Sequence, residues 1–212
     1  MFSIGIDFDN TILSYDELFY KEALKAKLIA VNVPKNKTAV RDAIRKLPQG
    51  NDLWTRLQAE VYGNKMLTGA TLAAGVEDFF AWSFIQGITI HIISHKTQFP
   101  ALGPKYDLRQ TALRWLSDAG FFKIDAQKFR ASHVHFADTL EQKFDLIRKY
   151  RCAYFVDDLH ELLTHQDFPV AVKKIWYLPQ KTAKILKKKS NTTDLIIMRC
   201  WQDIQKYFTK VI

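Results

Sequence analysis

Four polar groups follow or feed short apolar runs, and their residue types suit one kind of chemistry. The first is Asp7-Phe8-Asp9-Asn10-Thr11, at the end of the opening apolar segment. Carboxylates at i and i+2 on a strand end normally face opposite sides. A turn of the chain there swings Asp9 back over the pocket of Asp7. Two such acids can divide roles, one ionised as nucleophile or metal ligand and the other protonated as general acid. The competing reading is that Asp9-Asn10-Thr11 caps the next helix. The second group, Ser94-His95-Lys96-Thr97, offers a hydroxyl that can donate to a phosphoryl oxygen, or that merely closes a turn. The third, Asp157-Asp158, follows the run CAYFV, with Glu161 one turn on. One acid there would serve as a helix cap favoured by the helix dipole. The second acid needs a cation, and Mg²⁺ takes oxygen ligands while keeping several waters. The fourth is Lys143 in EQKFDLIRKY, at the start of the helix that feeds CAYFV. It can balance these acids, with Lys96 and Lys149 as competitors and a solvated helix face as the alternative.

Positioning such groups requires a frame. Apolar runs recur at 2–8, 88–93, 133–136, 153–156 and 174–178, with 195–198 as a sixth candidate. Helical patterns lie between them, which implies parallel βαβ units. Runs such as ITIHIIS and CAYFV are almost continuously apolar, as strands buried on both faces should be. Between the first two runs, segments 16–32, 38–47, 51–62 and 75–86 read as helices. Asn51 is suited to cap the third and Gly63 to end it. A connection this long exceeds one crossover helix, so residues 14–74 are read as a helical insertion and helix 75–86 as the return to the core. In an open parallel sheet, ligands bind beyond the carboxyl ends of the strands, which is where the polar groups fall.

Composition sets the outer bounds. The 212 residues are 48% hydrophobic, with 8 Gly and 6 Pro, a globular composition. Thirty-one basic against 22 acidic side chains give a net charge of +9. That balance suits an anionic substrate or nucleic acid. The densest basic run, 184–189, has no interleaved aromatics and reads as a solvated helix face. Two cysteines, Cys152 and Cys200, do not suggest a disulfide framework. The opening segment has no basic leader, and no apolar stretch approaches the roughly 20 residues of a membrane span. The expectation is a cytoplasmic protein.

Taken in order beside their strands, Asp-x-Asp-x-Thr, Ser, Lys and Asp-Asp resemble the haloacid dehalogenase-like superfamily over roughly residues 1–13 and 75–180. The resemblance implies an α/β Rossmann-like, doubly wound parallel sheet. The core would comprise 1–13 plus 75–212, and the insertion 14–74 would stand where that superfamily carries its helical C1 cap. It further implies Asp7 as nucleophile, forming an aspartyl-phosphate, and Asp9 as acid and base. Thr11 would steady the loop, and Ser94 and Lys143 would bind phosphoryl oxygens. Mg²⁺ would be held by Asp7, the Asp9 carbonyl and an acid of the pair Asp157–Asp158, Asp158 being the better candidate for direct ligation. Asn10 stands where many members have Gly. Asp9 is kept in phosphatase members and missing from dehalogenases.

The expected function is therefore a Mg-dependent phosphomonoesterase acting on a small phosphorylated metabolite, a sugar phosphate or nucleotide. His95, Lys96, Lys105 and Arg56 are candidates for substrate specificity. Trp54, Leu57, Val61 and Tyr62 are spaced for core packing rather than recognition. Two other readings remain open. A polynucleotide-end phosphatase would use the basic run at 184–189, although a cap hinders a polymer. A non-catalytic phosphoryl-binding module would keep the fold without turnover. The histidines His91, His133 and His135 fit core or strand-edge roles.

Overall fold

The computed structural model describes residues 2–179 and 194–212. The basic run at 184–189 lies outside the described residues. The strands are β1 (Ser3–Ile6), β2 (Leu13–Ser14), β3 (Thr71–Leu72), β4 (Thr89–His95), β5 (Val134–Ala137), β6 (Cys152–Asp157), β7 (Lys173–Tyr177) and β8 (Leu195–Met198). β2 pairs with β3, and the other strands form one six-stranded sheet in the order β5-β4-β1-β6-β7-β8. Every neighbouring pair in that sheet is parallel. The sixth apolar run is thus a strand, at the edge beside β7. The chain steps outward from β1 to β4 and β5, then returns to β6 on the other side of β1. This reversal creates a switch point between β1 and β6, where a doubly wound sheet opens a crevice at its carboxyl end.

The helices are α1 (Asp16–Lys25), α2 (Lys37–Ile44), α3 (Gly50–Glu60), α4 (Met66–Gly69), α5 (Val76–Ile85), α6 (Leu108–Asp118), α7 (Phe121–Ile124), α8 (Leu140–Lys149), α9 (His160–Leu163) and α10 (Trp201–Val211). The chain divides into two compact units. The first holds the described parts of Met1–Ile12, Leu72–His95 and Gly120–Ile212. The second holds Leu13–Thr71 and Lys96–Ala119.

In the first unit, α8 and α9 pack on strands of the sheet over Ile93, Phe144, Ile147, Phe155, Leu163 and Trp176, all buried. Helices α5 and α10 pack together, with Phe79 against Trp201 and Phe208. No helix of the described residues is long and apolar enough to cross a membrane. The body of the sheet also carries polar rings. His91 on β4 and His135 on β5 lie 3.1 Å apart between Nδ1 and Nε2, and both stack on Tyr150. Core and strand-edge roles for these histidines are borne out.

In the second unit, Trp54 is buried and stacks on Phe19 at 4.8 Å. Leu57 and Val61 are also buried, so the apolar spacing of this segment is core packing, as read. Helix ends differ from the sequence reading for local reasons. The pattern 16–32 continues through Leu28 and Ile29, yet α1 stops at Lys25. Lys27 takes φ 56°, and Leu28 N–H and Lys27 N–H donate to the Ala23 and Leu24 carbonyls. That is a Schellman stop made without glycine. α3 starts at Gly50 after a left-handed Gln49, with no cap from Asn51. A Cβ on Gly50 would clash with the Ile44 carbonyl oxygen. Gly63 does not end the helix either. It sits inside a π-helical turn, Val61–Lys65, that continues into α4.

Gly63 is small because Tyr106 fills the space: an added Cβ would clash with its Cδ2, Cγ and Cβ. Ala would ordinarily stabilise a helix over Gly by about 0.5–1 kcal/mol. Here overpacking decides the sign. Gly63→Ala is expected to lower stability by about 1–3 kcal/mol in chemical denaturation. The same change in a Tyr106→Ala background should cost less than about 0.5 kcal/mol, and equal costs in both backgrounds would contradict the clash.

The histidine pair gives a pH expectation. Burial, with the charge of neighbouring His133, holds His91 down to about 4 from its ordinary 6.5. Burial, with His91, His133 and Lys149, does the same to His135. Folding therefore depresses the proton affinity of both bases. Their contribution is complete above about pH 6.5 and is lost as pH falls toward about 4. Relative to a His91→Gln, His135→Gln double variant, the parent should lose stability between pH 7.5 and pH 4.5. Parallel stability–pH curves for the two proteins would refute it.

Candidate active site

Asp7 is the first residue past β1, and its N–H donates to the Val156 carbonyl at 2.8 Å. The register Ile6↔Val156 sets Asp7 beside Asp157, at the end of β6. Both acids therefore flank the switch point. Lys143 arrives from α8, which begins where the Thr139 hydroxyl accepts from the Gln142 N–H. One turn on, its ammonium donates to Asp7 Oδ1 at 2.6 Å and to Asp157 Oδ2 at 2.8 Å. The lysine is 1% exposed, with its ammonium 5.2 Å from the Phe155 ring centroid. Of the sequence-level competitors, Lys149 is exposed and Lys96 belongs to the second unit.

Asp157 is fully buried, and its other oxygen accepts from the Leu159 N–H at 2.8 Å. Asp158 is half-buried, and its carbonyl accepts from the Trp176 indole N–H at 3.0 Å. One carboxylate oxygen each from Asp7, Asp157 and Asp158 all lie within 4.8 Å of one another. That all-oxygen set fits a hard divalent cation such as Mg²⁺.

The charges point the same way. Burial pushes the Asp7 carboxyl up to about 7, the charges of Asp157 and Asp9 adding to the effect and Lys143 opposing it. Burial by itself pulls Lys143 down, but the carboxylates of Asp157 and Asp7 outweigh it and hold the ammonium above its ordinary range. Lys143 thus stays protonated among an excess of carboxylates, and the cluster is short of positive charge.

The turn required after Asp7 is present. Asn10 adopts φ 61°, and the Ile12 N–H donates to the Phe8 carbonyl at 3.1 Å. Asn tolerates this left-handed region better than most residues. The capping alternative fails: β2 follows, and α1 begins only after Tyr15, with no side-chain cap bond. Asp9 is half-buried. Thr11 and Ser94 are almost fully buried, and neither hydroxyl has a hydrogen-bond partner among the described residues. The buried Asn10 Oδ1 is in the same condition. Ser94 is the penultimate residue of β4, and Ile92 is in register with Ile6. An unsatisfied buried polar atom costs about 1–3 kcal/mol, so these groups, like Ser83 Oγ and His160 Nε2, call for a partner, water or ligand.

The specificity candidates are placed separately. His95 is exposed, its Nε2 3.1 Å from the Asp138 carbonyl oxygen. Lys96 is 4% exposed, and its ammonium lies 4.7 Å from the Tyr62 ring centroid within the second unit. Lys105 and Arg56 are exposed in that unit. Sequence reasoning did not single out Trp176 or the Leu159 N–H. The Trp176 contact depends on how β6 and β7 align, its only cue being its position in the next apolar run; the Leu159 N–H closes a local turn on Asp157, a contact that an Asp ending a strand can signal.

Neither a protein-family profile nor a curated protein sequence matches the chain significantly. Solved structures do match its fold. A HAD-family hydrolase from Deinococcus radiodurans R1, solved with bound phosphate and sodium, has a TM-score of 0.58 at 11% identity, over 98% of this chain and 95% of that one. A predicted phosphoglycolate phosphatase from Haemophilus somnus 129PT has a TM-score of 0.53 at 14% identity, over 97% and 96%. An L-2-haloacid dehalogenase has a TM-score of 0.52 at 13% identity, over 99% of each chain. The chain therefore has the α/β fold of the haloacid dehalogenase-like hydrolases, as the motif order implied.

The bridging lysine yields a direct test. Removing one partner of a buried charge group costs about 3–5 kcal/mol. Lys143→Met should cost that much in metal-free buffer, measured by denaturation. In an Asp7→Asn, Asp157→Asn background the same substitution should cost far less. Equal costs in the two backgrounds would mean that the lysine acts by packing alone.

Proposed function

We propose that the protein is a magnesium-dependent phosphomonoesterase that works through an aspartyl-phosphate on Asp7, with a small phosphorylated metabolite as substrate. The observation that carries this reading is the Asp7–Lys143–Asp157 group, with Asp158 beside it, at the switch point of the sheet. The unpartnered Ser94 and Thr11 hydroxyls support it as donors for phosphoryl oxygens.

The chemistry follows from these roles. An ionised Asp7 oxygen attacks phosphorus, and the bond from phosphorus to the ester oxygen breaks. Asp9 gives its proton to the departing oxygen, releasing an alcohol. Asp9 then takes a proton from water, whose oxygen attacks the same phosphorus as the bond to Asp7 breaks. Inorganic phosphate leaves, and both acids return to their starting states. Lys143 opposes the burial that raises the Asp7 carboxyl and would meet charge on the transferring oxygens. Bound magnesium supplies further positive charge for those oxygens. The residues to hold it are Asp7, the Asp9 carbonyl and Asp158. Asp157 is less suited, because both of its oxygens already accept hydrogen bonds.

A dehalogenase of the same fold would use the nucleophile without a second acid. Asp9 therefore favours a phosphate ester over a carbon–halogen bond. No observation among the described residues favours a polynucleotide end as substrate.

Purified protein should release phosphate from an aryl phosphate and from members of a metabolite panel only when Mg²⁺ is present. Asp7→Asn should reduce the rate at least about a thousandfold while leaving the fold intact. Inactivity of the folded parent across the panel, or a variant as active as the parent, would reject the assignment. Halide release from 2-haloacids would transfer it to the dehalogenase chemistry.

A further inference from the structure

We infer that Trp176 is a positioning residue for Asp158, and that its indole N–H sets how tightly the acidic cluster binds a divalent cation. This rests on the reading of Asp7 and Asp158 as magnesium ligands and extends it to a residue that would not touch the metal.

Asp158 is the first residue beyond β6. Its direction depends on the peptide unit that follows, the Asp158 carbonyl with the Leu159 N–H. Both ends of that one planar unit are held. The carbonyl accepts from Trp176 Nε1 at 3.0 Å, and the N–H donates to Asp157 Oδ1 at 2.8 Å. Packing does not do this work, because the Leu159 side chain is 52% exposed and anchors nothing. Without the indole bond, the carbonyl end of that peptide loses this anchor, and the Asp158 carboxylate gains freedom to turn away from Asp7.

Trp176 itself has little freedom. It is 2% exposed, within the apolar cluster between the sheet and its helices. It stands on β7 in register with Asp157 on β6. The His160 ring packs on the indole edge-on, with centroids 4.9 Å apart and planes at 65°. Phe would fill much of this volume but bring no donor. A buried indole finds a polar partner, and here the partner is the backbone of a proposed metal ligand. Supporting groups of this kind typically change metal affinity by about 10–100-fold when removed.

The test measures binding of the metal alone, without substrate. Isothermal titration with Mg²⁺, backed by Mn²⁺ electron paramagnetic resonance, is run on the parent, Asp158→Asn and Trp176→Phe. Parent binding that Asp158→Asn abolishes supports the underlying site. Trp176→Phe, which keeps an aromatic ring but no donor, should then raise the dissociation constant about tenfold. A constant within twofold of the parent would overturn the positioning role and leave the metal site standing. Failure of the parent itself to bind either ion would remove the site and this inference together. Should Trp176→Phe not fold, the parent's own indole signal serves instead. It is assigned by elimination with Phe variants of Trp54, Trp82, Trp115 and Trp201. Mg²⁺ should shift that nitrogen–proton resonance in the parent and not in Asp158→Asn, whereas an unmoved resonance in the parent overturns the proposal.

Discussion

One buried ammonium holds the carboxyl end of the sheet together. Lys143 is out of water and donates to two acids from different strands, Asp7 after β1 and Asp157 on β6. Neither acid could remain there as an isolated charge, since desolvation alone favours the neutral form. Nor could the lysine. The arrangement is conditional on several pieces at once: the β1–β6 register, the Thr139 cap that fixes where α8 starts, and the single helical turn from that cap to Lys143. Such a group is weak evidence for stability. Well-packed apolar residues of similar volume are often as stable or more so, by about 1–4 kcal/mol. A charged triad at this depth is therefore better explained by chemistry than by folding.

The same sheet shows where polarity is tolerated and in what form. In its body, between β4 and β5, the polar groups are His91 and His135, whose burial holds them neutral above about pH 4. At its carboxyl end, past β1 and β6, the polar groups are acids that the chain keeps close to one another in spite of their repulsion. The topology separates these cases. Helices α5, α8, α9 and α10 pack along the strands. The strand ends at the β1/β6 reversal are where connections diverge, leaving backbone and side chains to meet a ligand. The unpartnered hydroxyls of Ser94 and Thr11 lie at that end, while that of Ser83 lies on α5.

Much of this was legible in the sequence, for identifiable reasons. Strands buried on both faces must be apolar almost throughout, so ITIHIIS and CAYFV stand out, and polar residues that end such runs mark the carboxyl ends. Asp7, Ser94 and Asp157–Asp158 could be found by that rule alone. Lys143 was harder. It needed a helix immediately preceding β6 and a guess at that helix's phase, and only the structure separates it from Lys149 on the same helix. Helix termini were least legible. The stop at Lys27 uses a left-handed lysine where sequence reasoning looks for glycine. Gly63, a glycine that looks like a stop, is there to admit Tyr106. In both cases the deciding contact lies outside the local pattern. Trp176 was not legible in its role, because a tryptophan in an apolar run looks the same whether or not its N–H has a particular partner.

The acidic pair is the last point at which sequence and structure differ in what they can say. Side by side in the chain, Asp157 and Asp158 are chemically identical, and a helix cap accounts for only one of them. Their surroundings make them different residues. Asp157 is fully buried with one oxygen on Lys143 and the other on the Leu159 N–H. It therefore acts on its neighbours, fixing the lysine on one side and the 158–159 peptide on the other. Asp158 is half-buried and is acted upon, its peptide gripped by Asp157 and Trp176. An acid that must meet a hard cation benefits from a fixed backbone and an accessible carboxylate. An acid that must hold a buried lysine benefits from full burial and saturated oxygens. The surroundings of each residue suit the task proposed for it. The second carboxylate, unexplained as a cap, follows from assigning the pair two tasks rather than one.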